Sequence, residues 1–278
     1  MSSSVMSVCT GYIMGHTNRE RRRLSIQAAI INPLTENFLR RAGISAGMHV
    51  LELGCGVADV SLIAAKLIGP YGSLHGLDLD PEALEIARRR VQSAGHSHVS
   101  FELVDVQQFR PQRQYDAVIG RHILIHTRDA PEVLRRAVSM VHTGGVIAFQ
   151  EFDGSLAWRG YPEMPLMFEM QDLIHEFCRR AMPRPGMGTQ LPKLMQDAGL
   201  PPPECRAEFS IDGGPRSPLY KWVAETIRSL LPRMEELGLT TATAVDIDTL
   251  EDRLRQEALD TRGFAIGGLM IGAFARKP

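Results

Sequence analysis

Apolar positions along the chain follow two alternating spacings from His49 to Asp153. Short segments rich in Val, Ile and Leu predict β-strands, in the order HVLELG, SLHGLDL, VSFELVDV, YDAVIGRH and GVIAFQEF. Between them, apolar residues three and four apart predict helices over ADVSLIAAKLIG, DPEALEIARRRVQSAG and APEVLRRAVSMVHTGG. Alternating strands and helices are typical of βαβ units, so the pattern predicts an α/β fold around a parallel sheet.

Residues at the helix ends support these boundaries. Gly69 and Gly95 follow the first two helices, where glycine accepts the backbone conformation that ends a helix. Asp80 precedes Pro81, the order expected of an N-cap residue followed by the first helical position.

The segment before the first strand is predicted to be helical. Thr17 and Glu20 form a capping box, and Pro33 is expected to separate two helices. We expect residues 1–43 to form an N-terminal helical cap.

The pattern changes again after Asp153. Two helical segments precede a strand, CRAEFSI, which is followed by a helical excursion from about Pro218 to Leu259 and a last strand, GLMIGAFARK. Long insertions in α/β proteins are often lids or substrate walls. We therefore expect a core over residues 44–155, and a part over residues 156–278 that completes the sheet and carries a helical lid. This lid and the N-terminal cap are expected to cover the ligand.

Composition narrows the classes of partner. The 278 residues include 44% hydrophobic and 23% charged residues, with a formal net charge of −1, which gives no field to attract nucleic acid or an anionic membrane. The basic cluster at 19–23 contains Glu20 and is interpreted as a solvated helix face. The late apolar run FAIGGLMIGAFA is too short to span a bilayer as a helix.

The four cysteines lie far apart without a CxxC pair, which argues against a disulfide framework and against a zinc site. The N-terminus lacks the basic start and continuous apolar stretch of a signal peptide. These features predict a soluble, cytoplasmic protein without a bound metal, and they leave homo-oligomerisation open.

The first strand leads into a glycine turn, Gly54-Cys55-Gly56, and then into a helix. Open α/β sheets bind ligands at such turns, where backbone N–H groups and a helix N-terminus face the ligand. A dinucleotide-binding fingerprint has a third small residue where this chain has Asp59, and a carboxylate beside a pyrophosphate is unfavourable. The sequence therefore disfavours NAD.

Several motifs together resemble those of the class I S-adenosylmethionine-dependent methyltransferases. They are LELGCGVAD, GLDLD, FELVDV, YDAVIGRHILIH and TGGVIAFQEF, in the family's order and spacing, and the N-terminal segment is similar to that of bacterial natural-product members. The resemblance implies a Rossmann-like, doubly wound seven-stranded sheet whose last strand runs antiparallel between the fifth and sixth. It also implies S-adenosylmethionine as the cofactor and a methyltransferase that acts on a small molecule, as in secondary metabolism.

The resemblance also implies a set of cofactor-binding residues: Tyr12, Glu52, Gly54, Cys55, Gly56, Asp78, Leu79, Asp105, Val106 and Arg121. Glu52 is expected near the ammonium group and the glycine turn beneath the methionine and ribose. Asp78 is expected to accept the ribose hydroxyls, and Asp105 the adenine amino group. Leu79 and Val106 are expected beside the adenine, and Arg121 to use its backbone near the methionine moiety. Tyr12 is expected to line the site.

Each assignment has a structural alternative. Asp80 is the other acid near the end of the second strand, but a role as helix cap explains it better. Asp105 is also able to fix the turn that follows the third strand.

A sulfonium carries an activated methyl group, so its transfer requires an aligned nucleophile and exclusion of water, and sometimes a base. Candidate bases are His122 and His126. His126 matches a histidine frequent in the family's small-molecule members, although a structural role remains open for it.

Two other functions remain open at this point. A protein of this family is able to use the cofactor for another rearrangement or to sense it. A nicotinamide oxidoreductase is disfavoured by Asp59 and by the antiparallel last strand. The motifs of nucleic-acid methyltransferases are missing after the fourth strand, so a small organic molecule is the expected acceptor.

Overall fold

The computed structural model describes residues 18–156, 159–182 and 184–278. Within them, the chain forms nine strands. They are β1 (His49–Leu53), β2 (Ser73–Asp78), β3 (Val99–Leu103), β4 (Tyr115–Arg121), β5 (Val141–Phe152), β6 (Glu204–Glu208), β7 (Ile211–Gly213), β8 (Phe264–Ile266) and β9 (Met270–Arg276).

The α-helices connect or follow these strands. They are α1 (Asn18–Arg41), α2 (Asp59–Ile68), α3 (Pro81–Ser93), α4 (Ala130–Met140), α5 (Pro165–Ala181), α6 (Met187–Asp197), α7 (Pro218–Glu236), α8 (Ala242–Val245) and α9 (Leu250–Thr261). A 3₁₀ turn (Leu124–His126) follows β4. None of the described helices is long and apolar enough to cross a membrane.

Seven of the described strands form one sheet, in the order β3-β2-β1-β4-β5-β9-β6. The pairs from β3 to β5 are parallel, whereas β9 runs antiparallel to both β5 and β6. This arrangement confirms the predicted doubly wound sheet and its antiparallel last strand. Because β1 lies between β2 and β4, the carboxyl ends of these three strands lie side by side.

The chain divides into two compact units. The sheet unit contains residues 32–153, 187–208 and 270–278. One core cluster lies between the sheet, the end of α1 and helix α2, where Phe38, Val50 and Ile68 are buried. Gly272 leaves room for Phe38, because a Cβ at this glycine would meet the phenyl ring. This packing fixes α1 against the strands.

The helical unit contains the described residues within 18–31, 154–186 and 209–269. In it, α7 packs against α5 and α9, and the short strands β7 and β8 form a separate antiparallel pair. The Glu257 carboxylate accepts the backbone N–H groups of Leu166 and Met167, at 2.7 and 2.9 Å, and so caps the start of α5. The three-part division at residues 43 and 155 stays a prediction.

The expectation that Pro33 separates two helices is wrong. Helix α1 continues through this proline to Arg41. A proline inside a helix removes one backbone hydrogen bond. Phe38 and Leu39 in the following turns are 1% and 2% exposed, and their burial holds the helix together beyond the proline.

Two other boundaries differ from the prediction. The helix expected to reach Gly145 ends at Met140, because Val141 pairs with Tyr115 and begins β5 four residues earlier. The predicted strand CRAEFSI is divided between β6 and β7, which belong to different sheets. Local sequence patterns do not show which distant strand a residue pairs with.

Candidate functional site

The glycine turn follows β1 and holds two residues in left-handed conformations. The φ angles of Gly54 and Gly56 are +69° and +51°. Gly54 and Cys55 donate their N–H groups to the Leu77 carbonyl, at 2.9 and 3.0 Å, so the turn is tied to the end of β2. A Cβ on Gly54 would lie 2.6 Å from Ile123 Cδ1, whereas one on Gly56 would meet no described atom within 4 Å. The turn is therefore packed on one side and has room at Gly56.

Asp78 ends β2 and faces this turn. Its Oδ2 accepts the N–H of Gly56 at 2.7 Å, and its Oδ1 accepts those of Leu79 and Asp80 at 2.8 and 2.9 Å. A carboxylate has about four lone-pair sites, and three are used here, so Oδ2 is still able to accept one hydroxyl hydrogen. The half-buried position is consistent with a ligand contact.

Asp80 has the capping role that the sequence favoured. Its Oδ1 accepts the N–H groups of Glu82 and Ala83, at 2.9 and 3.2 Å, and Pro81 follows as the first residue of α3. The prediction that Asp80 is the N-cap is confirmed. The side chain of Leu79 between the two acids is 57% exposed.

Glu52 lies in β1 with its side chain 1% exposed. The hydroxyl of Ser61 donates to Oε2 at 2.5 Å, and no described residue donates to Oε1. Burial raises the pKa of Glu52 to about 8, against the lowering effects of Ser61 and of the Arg121 charge. The carboxyl is therefore protonated at neutral pH unless a cation comes close to it.

Cys55 is the middle residue of the turn, and its side chain is buried. Burial raises the pKa of its thiol above the usual range, and the Glu52 charge raises it further. A thiol of this kind stays protonated and does not act as a nucleophile.

Asp105 and Val106 follow β3 and are half-buried. Asp105 Oδ1 accepts the N–H of Gln107 at 2.8 Å, which is the turn-fixing role left open by the sequence. Its Oδ2 has no hydrogen-bond donor among the described residues. The two roles are compatible, and the adenine contact stays a prediction.

Asp59 has a partner that the sequence did not indicate. Arg90 of α3 donates to its Oδ1 at 2.8 Å and also reaches the Val57 carbonyl. The negative charge that was expected to disfavour a pyrophosphate is thus compensated within the fold. A dinucleotide is therefore disfavoured by the sheet order alone, and not by the charge of Asp59.

Arg121 ends β4 and turns its guanidinium toward α1. Its Nη1 donates to Asn32 Oδ1 and Thr35 Oγ1, both at 2.9 Å, and the Thr35 hydroxyl donates to Gln150 Oε1 at 2.7 Å. Burial lowers the pKa of this guanidinium. The sequence indicated only a backbone role for Arg121. Its side-chain network leaves no local signal in the sequence, because the partners lie 86 and 89 residues away in the chain.

The turn after β4 is held by Glu151, a residue that sequence analysis did not select. Its carboxyl group accepts the N–H groups of Ile123, Leu124 and Ile125, at 3.0, 2.8 and 3.4 Å, and its side chain is fully buried. Burial raises the pKa of Glu151 to about 8. The sequence did contain a signal for Glu151, because it is an acidic residue near the end of the predicted strand GVIAFQEF.

Both candidate bases belong to this turn. His122 has a φ of +55° and places Nε2 3.2 Å from the Met270 sulfur, and half-buried His126 ends the 3₁₀ turn. The catalytic role of His126 stays a prediction. Tyr12 lies outside the described residues.

The structure thus brings Glu52, Gly54, Gly56, Asp78 and Arg121 together at the carboxyl ends of three adjacent strands. In the described part of the chain, no group of three or more His, Cys, Asp or Glu side chains is arranged to hold a metal ion.

A sequence model of a family described as a methyltransferase domain matches residues 44–198. This range is more than half of the chain and includes the glycine turn and strands β1 to β5. The chain belongs to this methyltransferase family. Its cofactor is S-adenosylmethionine. The residues of the site fit S-adenosylmethionine, because Glu52 supplies an acid and Arg121 a cation beside the glycine turn.

Two similar proteins come from streptomycetes. Aklanonic acid methyltransferase DauC of Streptomyces sp. (strain C5) is 34% identical over 104 residues, which cover 37% of this chain and 47% of that protein. Methyltransferase GfsG of Streptomyces halstedii is 31% identical over 120 residues, or 42% of each chain. The match thus spans about half the length of these relatives.

The fold is also found among solved structures. A protein of Bacillus halodurans C-125 superposes with a TM-score of 0.58 at 17% identity, and the match covers 88% of this chain and 98% of that one. At this identity the likeness concerns the fold alone.

Proposed function

We propose that this protein transfers a methyl group from S-adenosylmethionine to a small organic acceptor of secondary metabolism. The observation that carries the proposal is the sheet order, in which antiparallel β9 lies between β5 and β6, together with the glycine turn that follows β1. A dinucleotide-binding Rossmann sheet has a different order and no reversed strand at this place. The name of DauC supports a small natural-product acceptor.

The residues of the site have distinct roles in this proposal. Asp78 accepts a ribose hydroxyl at Oδ2 while the same oxygen holds the Gly56 N–H, so that the ligand and the turn are aligned by one carboxylate. Asp105 accepts the adenine amino group, with Val106 and Leu79 beside the ring. The open side of Gly56 admits the ligand close to the backbone.

The cofactor supplies an already activated methyl group when it is bound. The protein therefore has to align the acceptor with the methyl group and keep water out, and no metal is needed. His126 is proposed as the base that takes a proton from the acceptor, since it lies in the turn held by Glu151 at the carboxyl edge of the sheet.

A cytoplasmic location is part of the proposal. Among the described residues, Cys55 and Cys205 are free thiols, which fits a reducing compartment.

Incubation with S-adenosylmethionine labelled with ¹³C in its methyl group tests the function. We expect at least one member of a panel of hydroxylated aromatic and polyketide acceptors to gain one labelled methyl group. Mass spectrometry detects the gain, and the ¹³C chemical shift distinguishes transfer to O, N or C. Turnover should be the same in EDTA.

Two outcomes would count against the proposal. Consumption of the cofactor without labelled product would favour another use of the sulfonium. Loss of turnover in EDTA that magnesium restores would contradict metal-independent transfer.

A further inference from the structure

Arg121 is half-buried, and its positive charge is not neutralised by any described carboxylate. Burial disfavours the charged guanidinium, and the acids that attract it, Asp59 and Glu52, are both outside ion-pair distance. Asp59 is paired with Arg90 instead. A charge that is partly removed from water and has no opposite charge beside it is costly, and a ligand of opposite charge relieves that cost. The charge of Arg121 therefore indicates an anionic ligand.

The hydrogen bonds around Arg121 fix its orientation without neutralising it. Thr35 donates its hydroxyl hydrogen to Gln150, so its oxygen is free to accept from Nη1, and Asn32 accepts the second Nη1 hydrogen. Thr35 and Gln150 are each 1% exposed, so this network is rigid. A guanidinium has five N–H donors. Those on Nε and Nη2 find no acceptor among the described residues.

The sheet register relates Arg121 to Glu52. Glu52 lies opposite Ile119 in β4, and Arg121 is two residues beyond Ile119. Both side chains therefore point to the same face of the sheet. Gly120 lies opposite Leu53, which places Arg121 level with Gly54. One acid and one cation thus lie on the same side of the sheet beside the glycine turn.

This pair matches the charges of an α-amino acid. We propose that the Arg121 guanidinium binds the carboxylate of the cofactor's methionine moiety through its side chain, while Glu52 binds the ammonium group. Charge-assisted, bidentate contacts are the strongest hydrogen bonds available to arginine, and its planar fork matches a carboxylate. This inference rests on the proposed function, because it assumes that S-adenosylmethionine is the ligand of this site.

Calorimetry with three nucleosides distinguishes the contribution of the carboxylate to binding from that of the amine. S-adenosylhomocysteine has both charged groups, S-adenosyl-3-thiopropylamine keeps the amine but lacks the carboxylate, and 5′-methylthioadenosine lacks both. We expect the wild-type protein to bind S-adenosylhomocysteine about ten- to a hundredfold more tightly than the thiopropylamine. Arg121→Gln should lose this preference and bind the thiopropylamine as the wild type does.

Two further variants complete the test. Arg121→Lys keeps the charge but not the fork, so it should retain part of the preference, and it replaces Arg121→Gln if that variant does not fold. Arg113→Gln is the matched control, because Arg113 bonds Ser73 at the amino end of β2 and should not affect the preference.

The outcomes distinguish a failure of the proposed Arg121 contact from a failure of the proposed function. Equal wild-type affinity for S-adenosylhomocysteine and the thiopropylamine would overturn the role of Arg121, as would an equal loss of both ligands in the Arg121 variants. If the wild type binds none of the three nucleosides, the cofactor assignment itself fails, and the inference fails with it.

Discussion

Glu52 and Glu151 are the two buried glutamates among the described residues, 1% and 0% exposed. Burial raises the pKa of each to about 8, even though both accept hydrogen bonds. At neutral pH the folded protein thus holds two neutral carboxyl groups at the carboxyl edge of its sheet. For Glu52 this state suits a site that becomes charged only when a cation binds. For Glu151 it suits a structural role.

Glu151→Gln should change how stability depends on pH. The unfolded chain loses the Glu151 proton near the ordinary pKa of 4.5, whereas the folded protein keeps it up to about 8. The free energy of unfolding of the wild type therefore falls by up to about 1.4 kcal/mol per pH unit between these values from this residue alone. The amide imitates the protonated acid without a proton to lose, so the variant should gain stability relative to the wild type from pH 5 to pH 8.

Urea denaturation at both pH values measures this difference. Glu85→Gln is a suitable control, because Glu85 is exposed on α3 and its substitution should give the same offset at both pH values. A constant difference between Glu151→Gln and the wild type would contradict a neutral Glu151.

The two acids at the end of β2 should respond differently to substitution. Asp80→Ala removes a helix cap and should lower stability by about 1 kcal/mol while cofactor affinity stays nearly unchanged. Asp78→Ala removes the proposed ribose acceptor and should weaken binding by roughly ten- to a hundredfold. It should also lower stability, because Asp78 accepts three backbone N–H groups.

The affinity of the two variants for S-adenosylhomocysteine is therefore the decisive measurement. Their melting temperatures report the expected losses of stability. If Asp80→Ala loses the affinity and Asp78→Ala keeps it, the ribose contact is wrong by two residues. The proposed place of Leu79 at the adenine is then wrong as well.

Much of the strand–turn–helix element could be predicted from the sequence. The apolar run of β1, the glycines after it and the caps of α3 are local signals, and each correctly indicates a boundary. The continuation of helix α1 through Pro33 was not predictable in this way, because it depends on the burial of Phe38 by distant residues. The partners of Arg121 and Asp59 were missed for the same reason. Residue types show that a charge is present, but not what lies beside it in space.

Gly54→Ala tests the packing of this element. A side chain at φ +69° is strained by roughly 1–2 kcal/mol, and its Cβ would press on Ile123, which adds about 1–3 kcal/mol. Both the stability and the cofactor affinity should fall, since Ile123 belongs to the turn held by Glu151.

Gly95→Ala is the matched control. Gly95 has a similar φ of +76° in the turn that ends α3, and a Cβ there meets no described atom within 4 Å. It should lower stability by the strain alone and leave the affinity unchanged, as judged by urea denaturation and calorimetry. An equal loss of stability in the two variants would contradict the close packing of Gly54 on Ile123.

At the scale of the whole molecule, the antiparallel β9 has two consequences. It completes the sheet beyond β5, and it brings the chain's last residues back to the core, where Lys277 donates to the carbonyl of Gly145. The sheet unit therefore contains all the described residues proposed to bind the cofactor, from Glu52 to Arg121. We expect that unit to determine which nucleoside is bound.

Calorimetric titration of the wild-type protein with S-adenosylhomocysteine and with NAD tests the central claim most directly. The sheet order and the residues around the glycine turn predict binding of S-adenosylhomocysteine in the micromolar range and no measurable binding of NAD. Binding of NAD without binding of S-adenosylhomocysteine would contradict the account.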